Sequence, residues 1–331
     1  MIYNCFMFYD EFDLLDIRLE ELSGHVDKFV LIESDRTYTG KPKPMYFNEN
    51  CGRYAKYADK LDLVISTQTA YQEGTDPWDN ELAQRQSIDD YLKTVCLPND
   101  TIILTDADEI VSAKVVPIIR NIEYPGRLNM RNYYYWLNCL NKDGWAWPSF
   151  CQYKDFKSAW ELRRGVDKRP VLPDAGWHFS YLMSPERIVE KLGAFSHSEC
   201  NRPEYTNIEH IEKCRSEGID LFNRPGQEFR FTDLSELPKC VRDNPGKYSK
   251  YIADYCYSRT DVINDLIGKH DLSRYLEIGI DDPARNFDKI KCDYKAGIDP
   301  AVDCTYRMTS DDFFESYQGE KFDLIFVDGL H

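Results

Sequence analysis

The sequence lacks long apolar segments. No stretch approaches the roughly 18 consecutive apolar residues that a membrane-spanning helix needs. Residues 1–10 contain neither a basic segment nor a small-residue cleavage site, so we expect no signal peptide and a cytoplasmic protein. Basic residues are also few, with 41 Lys and Arg against 57 Asp and Glu and a net charge of −16. Because a nucleic-acid-binding surface needs clustered Lys and Arg, this charge argues against nucleic acid as a partner.

The chain also lacks the cysteine spacing of a zinc ribbon or a redox motif. Its eleven cysteines are scattered, and none of them forms a Cys-x-x-Cys pair. Without a secretory signal, we expect reduced thiols rather than disulfides. The composition is otherwise that of a globular protein, with 42% hydrophobic and 14% aromatic residues. A chain of 331 residues can form one large core or two domains.

The first 120 residues alternate between strand-like and helix-like segments. In the first helical segment, apolar residues recur at three- and four-residue steps, whereas Arg18, Glu20 and Glu21 are predicted to face away from the core. Strands joined by helices predict an α/β fold with a mostly parallel, Rossmann-type sheet. The predicted strands are 3–9, 28–33, 62–66 and 101–105, the predicted helices are 10–22 and 78–95, and a Pro-rich loop is predicted at 39–44.

After residue 122 the pattern changes. A helix predicted at 112–122 is followed by aromatic, roughly alternating segments, which predict an added antiparallel part beside the first sheet. The strand-like segments are 127–137, 145–153 and 176–182, and further helices are predicted at 184–192 and 207–217.

The most informative segment is the apolar strand 101–105, which ends in Asp106, Asp108 and Glu109. Buried strands do not tolerate unpaired carboxylates, so these acids are expected where the strand leaves the sheet, at the edge where α/β folds bind ligands. Two Asp at i and i+2 offer oxygens to Mg²⁺ or Mn²⁺, which in turn binds a diphosphate. This is the Asp-x-Asp arrangement of nucleotide-sugar glycosyltransferases. The alternative is a solvated loop after a strand.

Five segments in the same order resemble motifs of glycosyltransferase family 17, over roughly residues 1–235. The resemblance implies a GT-A-like fold and inverting transfer of a sugar from a nucleotide-sugar donor, with UDP-GlcNAc as the first expectation. The acceptor is a glycan or a small molecule. The segments are 3–15, 29–34, 39–44, 105–110 and 176–181.

Such a reaction predicts roles for further residues. We expect Asp108 to bind the metal, Asp106 to bind the metal or the ribose, and His178 to be a third ligand or a hydrogen-bonded core histidine. Inversion requires a base near the acceptor hydroxyl, and the sequence leaves three carboxylates open for that role. These are Asp174, Glu199 and Glu109.

Other residues are expected at the donor and the sugars. Glu33 is predicted to contact the uridine or the sugar, with a surface salt bridge as the alternative. Arg85 is predicted to neutralise diphosphate, with an ordinary ion pair on the helix surface as the alternative. The residues predicted to stack on sugar rings, or to belong to the core, are Trp136, Trp145 and Trp147.

Residues 271–331 resemble the beginning of a class I S-adenosylmethionine-dependent methyltransferase. Glu277 and Gly279 match the first strand and turn of that family, and Asp299 falls where an acid binding the ribose is expected. The further glycines of that turn and the later strands are missing. We therefore expect a partial second Rossmann-like unit after a linker or helical region at 236–270. S-adenosylmethionine is expected to bind only if the unit were complete.

Two alternatives to a glycosyltransferase stay open at this point. One is a methyltransferase whose first domain binds sugar, and the other is a nucleotide-sugar-binding protein without turnover. The oligomeric state does not follow from the sequence.

Overall fold

The computed structural model describes residues 1–67, 76–164, 168–253 and 259–328. The chain forms two compact units, Met1–Ala253 and Asp254–His331, and each is described by itself. The predicted boundary at residue 235 falls inside the first unit, because Leu237, Val241 and Tyr248 pack in one core cluster with Leu14 and Ile17.

The first unit is built from short strands and helices. Its strands are β1 (Ile2–Met7), β2 (Lys28–Ser34), β3 (Leu61–Ser66), β4 (Thr101–Leu104), β5 (Glu109–Val111), β6 (Gly126–Leu128), β7 (Met130–Tyr134), β8 (Cys139–Trp145), β9 (Ser149–Gln152), β10 (Val171–Leu172), β11 (Gly176–Ser180) and β12 (Phe229–Phe231). Its helices are α1 (Phe12–Leu22), α2 (Tyr46–Asn50), α3 (Pro77–Val95), α4 (Val116–Arg120), α5 (Ala159–Arg164), α6 (Pro185–Leu192), α7 (Ile208–Glu217) and α8 (Lys239–Asp243).

The predicted parallel sheet is confirmed. The order of the first sheet is β10-β6-β9-β4-β1-β2-β3, and the neighbours among β4, β1, β2 and β3 pair in parallel. Strand β9 pairs antiparallel with both β4 and β6. The carboxyl ends of β1, β2 and β4 therefore meet at one edge of the sheet.

Alternating side chains of the first sheet supply its two cores. On one face, Phe6, Leu31 and Ile103 cluster with Leu15 and Leu19 of α1. Their neighbours in the strands face the other way and cluster with Ile88 and Leu92 of α3. This follows from the two-residue period of a strand. Burying one such side chain contributes about 1.5–3 kcal/mol to stability.

The second sheet has the order β12-β8-β7-β11-β5. Strand β11 pairs antiparallel with β5 but parallel with β7, so the purely antiparallel arrangement predicted for this region is only partly confirmed. Gly176 begins β11 with φ +146°, and a Cβ there would lie 2.1 Å from the carbonyl oxygen of Ile110. Only glycine therefore permits this close approach to β5.

The second unit contains α9 (Arg259–His270), β13 (Arg274–Ile278), β14 (Tyr294–Ile298), α10 (Ser310–Ser316) and β15 (Leu324–Val327). Its strands form a parallel sheet of order β14-β13-β15. Two short 3-10 segments, Pro283–Arg285 and Phe287–Lys289, connect β13 to β14.

Two further expectations concern cysteines and membranes. All ten cysteines in the described ranges are free thiols, and Cys256 lies outside those ranges. Within the same ranges, none of the helices combines the length and apolar character required to cross a bilayer.

Candidate active site

A cleft of about 850 Å³ opens at the carboxyl ends of β1, β2 and β4. The loops that follow these three strands line it, together with side chains from α3, α5 and α6. The segment after β4, which we call the acid loop (residues 105–109), contributes Asp106, Ala107 and Asp108 to the lining. This is the location predicted for a ligand site in an open α/β sheet.

Arg18 of α1 holds the acid loop in place through hydrogen bonds to its backbone. The Arg18 guanidinium donates to the carbonyl oxygens of Asp106 (2.6 Å), Ala107 (3.1 Å) and Glu109 (2.9 Å). It also donates to the side chains of Asn4 (2.7 Å) and Thr105 (2.8 Å). The prediction that Arg18 faces away from the core is therefore wrong. Burial lowers the pKa of Arg18 to about 10, so it remains a cation at neutral pH.

Asp106 lies between two arginines. Arg85 of α3 donates to Oδ1 at 2.9 Å, and Arg163 of α5 donates to Oδ2 at 2.6 Å. Burial alone would raise the pKa of Asp106, but the charges of Arg163 and Arg85 lower it well below its usual range. Asp106 is therefore ionised, and each of its oxygens already accepts a charged hydrogen bond.

Glu109 is fully buried and is not among the residues that line the cleft. Arg163 donates to both of its carboxylate oxygens, at 2.6 and 2.7 Å. The Trp145 indole donates to Oε1 at 2.5 Å, and the backbone amide of Asp106 donates to Oε2 at 2.6 Å. These hydrogen bonds hold the acid loop in place, so the role of the Glu109 carboxylate is structural.

Asp108 faces Lys191 and His178. Lys191 of α6 donates to Oδ2 at 3.1 Å, and Nε2 of His178 lies 3.8 Å from Oδ1. Burial alone would raise the pKa of Asp108, but the charge of Lys191 lowers it below its usual value. Asp108 is therefore an anion at neutral pH.

His178 is held in one orientation. Its Nδ1 lies 2.8 Å from Oδ1 of Asn132, and the ring stacks on Trp145 with centroids 4.2 Å apart. Because an amide oxygen is an acceptor, we assign the proton to Nδ1, which leaves the Nε2 lone pair directed towards Asp108. Burial lowers the pKa of His178, so the ring is neutral near pH 7.

The other carboxylates named from the sequence lie in different places. Glu199 lines the cleft and accepts a hydrogen bond from His197 at 2.7 Å. Asp174 lies outside the cleft, 81% exposed, with Arg131 at 3.5 Å. Glu33 is buried and accepts from the backbone amides of Phe47 (2.7 Å) and Asn48 (3.0 Å) at the start of α2.

The three tryptophans also differ. Trp145 and Trp147 line the cleft, and Trp147 is 43% exposed. Trp145 is already engaged by His178 and Glu109. Trp136 packs away from the cleft, where its indole donates to the carbonyl oxygen of Arg215 at 2.9 Å.

Sequence reasoning missed Arg163, Lys191 and Glu11 as cleft residues. Glu11 accepts from the amides of Tyr9 (3.0 Å) and Asp10 (3.1 Å), and burial raises its pKa. Arg163 and Lys191 reach the acid loop from 54 and 83 residues further along the chain. A local sequence pattern gives no information on contacts between residues so far apart along the chain. The basic residues in the last turns of α5 and α6 are the one available signal.

The charge of the cleft differs from that of the chain. Nine Lys and Arg and seven Asp and Glu line it, whereas the whole chain has a net charge of −16. A cleft with a small positive excess in an acidic protein favours an anionic ligand.

Of the three metal ligands predicted from the sequence, Asp108 and His178 are neighbours, whereas Asp106 is paired with two arginines. In the described ranges, no group of three or more His, Cys, Asp and Glu side chains is arranged to hold a metal. Asp108 and the Nε2 lone pair of His178 nevertheless offer two ligands to one point. Mg²⁺ and similar ions commonly bind to one or two protein side chains and complete their coordination with substrate phosphates and water, so these two residues fit a divalent cation.

These acids and cations lie at the carboxyl ends of parallel strands, where open α/β sheets bind their ligands. Residues 1–249 match glycosyltransferase family 17, and the chain belongs to this family. The resemblance predicted from five sequence segments is thereby confirmed.

Curated relatives extend the comparison. The chain is 26% identical over 297 residues to the β-1,4-mannosyl-glycoprotein 4-β-N-acetylglucosaminyltransferase of Rattus norvegicus, covering 75% of this chain and 53% of that protein. The Homo sapiens protein of the same name is 26% identical over 298 residues, covering 75% and 54%. The chain therefore spans about half the length of the curated relatives it matches.

The family match ends before the second unit, so the methyltransferase interpretation of residues 271–331 stays a prediction. In this unit, Asp299 accepts from the backbone amides of Ile280 and Ala301 (3.0 and 2.8 Å), among others. Glu277 is buried and accepts from Tyr275 at 2.8 Å and Asn286 at 2.9 Å. Both carboxylates thus accept hydrogen bonds within the unit itself, whereas Oε1 of Glu277 is buried without a hydrogen-bond partner among the described residues.

Proposed function

We propose that the first unit is a GT-A-like, inverting glycosyltransferase that transfers GlcNAc from UDP-GlcNAc to a hydroxyl group. The observation that carries the proposal is the acid loop at the carboxyl edge of the parallel strands, on which three cations that line the cleft converge. Family membership supports sugar transfer. The relatives named as N-acetylglucosaminyltransferases support GlcNAc as the sugar.

The donor diphosphate is proposed to lie over the acid loop. Arg85, Arg163 and Lys191 all reach this loop with charged hydrogen bonds. One guanidinium nitrogen of Arg85, Nη1, is buried without a hydrogen-bond partner among the residues described. Because an unpaired buried donor is costly, a phosphate oxygen nearby would satisfy it after a small movement.

A divalent cation is proposed to be held by Asp108 and His178. When bound, such an ion neutralises negative charge on the departing nucleoside diphosphate. Asn132 supports this arrangement, because it keeps the proton on Nδ1 of His178 and leaves Nε2 free. In this proposal, Asp106 acts through Arg85 and Arg163, which it holds beside the diphosphate.

Glu199 is proposed as the base among the three carboxylates predicted from the sequence. It lines the cleft, whereas Asp174 is outside it and Glu109 is fully paired with Arg163. The hydrogen bond from His197 lowers the pKa of Glu199, so the carboxylate is ionised at neutral pH and able to accept a proton. The proton of the acceptor hydroxyl would pass to Glu199 as that oxygen bonds to the anomeric carbon of GlcNAc, while the bond from this carbon to the UDP oxygen breaks and UDP leaves.

The proposal is tested by measuring UDP release from UDP-GlcNAc with Mn²⁺ and with EDTA. We expect release to require Mn²⁺ and to fall at least about 100-fold in Asp108→Asn. The matched control is Asp59→Asn, because Asp59 is an exposed residue outside the cleft. Its activity should equal that of the unaltered chain.

The other outcomes separate the remaining functions. UDP-GlcNAc binding without any turnover, across a panel of acceptors, would support a binding protein instead. Binding of S-adenosylmethionine, with no response to any UDP-, GDP- or CMP-sugar in thermal unfolding, would support the methyltransferase alternative.

A further inference from the structure

Three cleft residues form a group of their own: Trp78 of α3, with Trp160 and Arg164 of α5. The Arg164 guanidinium carbon lies 4.5 Å from the ring centroid of Trp78 and 4.4 Å from that of Trp160. The two indoles meet edge to face at 6.4 Å. We call these three residues the indole–arginine cluster.

The cluster is separate from the acid loop. Trp78 precedes Arg85 by seven residues on α3, which is about 10 Å of helix. Arg163 and Arg164 are neighbours on α5, so their side chains leave the helix about 100° apart. Arg163 reaches Asp106, whereas Arg164 lies against the indoles.

Arg164 also differs from the other cleft cations. Seven of the nine Lys and Arg side chains that line the cleft have a carboxylate within 4.0 Å. Arg36 donates to the carbonyl oxygen of Gly40 instead. For Arg164, the described parts of the chain offer aromatic rings and no carboxylate within that distance. The stacking orders its guanidinium, and no carboxylate among the described residues lies close enough to compensate its charge.

We propose that the indole–arginine cluster binds a carboxylate-bearing sugar of the acceptor. This inference rests on the proposed function, since it names the acceptor class of that same cleft. A guanidinium recognises a carboxylate with two parallel hydrogen bonds, and a group already ordered by stacking loses less entropy on binding. The two indoles are half-buried and line the cleft, where they offer apolar contact to the sugar ring.

The neighbours of Trp78 assign the cluster to the acceptor rather than to the donor. His197 meets Trp78 edge to face with centroids 4.7 Å apart. The same histidine donates to Glu199, the proposed base, at 2.7 Å. An acceptor whose hydroxyl approaches Glu199 therefore lies beside Trp78.

The test compares acidic and neutral oligosaccharides as probes, using the full chain. Lactose is paired with 3′-sialyllactose, and cellobiose with cellobiouronic acid. Dissociation constants are measured by NMR with and without UDP, and UDP release from UDP-GlcNAc is measured with each sugar. We expect at least one acidic sugar to bind about tenfold more tightly than its neutral partner, which corresponds to about 1.4 kcal/mol.

Variants connect this preference to Arg164. Arg164→Gln should abolish this preference, while the dissociation constant for UDP should change less than about twofold, well below the roughly tenfold preference. Arg202→Gln is the matched control, because Arg202 also lines the cleft but pairs with Glu204 at 3.8 Å. It should keep the preference.

Two results would overturn the inference. One is equal or tighter binding of the neutral sugar in both pairs. The other is a loss of UDP affinity in Arg164→Gln, which would assign Arg164 to the donor phosphates. If UDP-GlcNAc itself does not bind, the proposed function fails. If the donor binds and the acidic preference is absent, only the present inference fails.

Discussion

Removing Arg163 is predicted to destabilise the protein, because this buried cation holds two carboxylates of the acid loop. Arg163 makes two hydrogen bonds to Glu109 and one to Asp106, all between 2.6 and 2.7 Å. In Arg163→Met, the fully buried Glu109 keeps the Trp145 indole and the Asp106 amide but loses its counter-ion. Removing one partner of a buried pair costs about 3–5 kcal/mol, so we expect the free energy of unfolding to fall by that amount.

The assay is chemical denaturation of Arg163→Met, Glu109→Gln and the double variant. The double variant should recover stability, because the amide introduced by Glu109→Gln carries no charge, and a coupling energy of about 2–3 kcal/mol is expected. Arg164→Met is the matched control on the same helix and should cost less than about 1 kcal/mol. A loss below about 1 kcal/mol in Arg163→Met, or no coupling to Glu109, would refute the reasoning.

Three further predictions concern the supports of the site. Arg18→Met removes donors to three acid-loop carbonyls, so UDP binding should be lost and amide exchange of residues 105–109 should accelerate; unchanged exchange would contradict this. Trp145→Phe keeps the ring beside His178 but removes the donor to Glu109, and should cost about 1.5–3 kcal/mol in denaturation. Burial raises the pKa of Asp89 to about 6, so the folded protein binds the proton of this carboxyl group more tightly than the unfolded chain does. The free energy of unfolding should therefore fall as the pH rises from about 4 to 6. Asp89→Asn should lack that fall and be more stable than the unaltered chain at pH 7, by at most about 3 kcal/mol; parallel stability curves would contradict it.

Much of the fold was predictable because its signals are local. The apolar runs of β1, β2, β3 and β4 and the three- and four-residue steps of α1 lie within single elements. The start of α6 was equally clear, since Ser184 caps the helix by accepting from the amide of Arg187. Strand β11 was harder, because its direction beside β7 depends on a long connection and not on its own residues.

The site was less predictable because its partners are distant in sequence. Arg18 occupies a position that a helical pattern assigns to the surface, yet five acceptors from β1 and the acid loop allow it to be buried. As a carboxylate, Glu109 is chemically able to act as a base. Its pairing with Arg163, however, depends on α5, which lies far along the chain. Asp106 and Asp108 were identifiable because they adjoin the strand that places them at the edge of the sheet.

The most direct test of the central claim is the crystal structure of the protein with UDP and Mn²⁺, recorded with anomalous scattering at the manganese edge. We expect one anomalous peak about 2.0–2.3 Å from Asp108 and from Nε2 of His178, with the diphosphate of UDP completing its coordination over the acid loop. Density for UDP in another part of the molecule, or a diphosphate bound over the acid loop with no manganese beside Asp108, would contradict it.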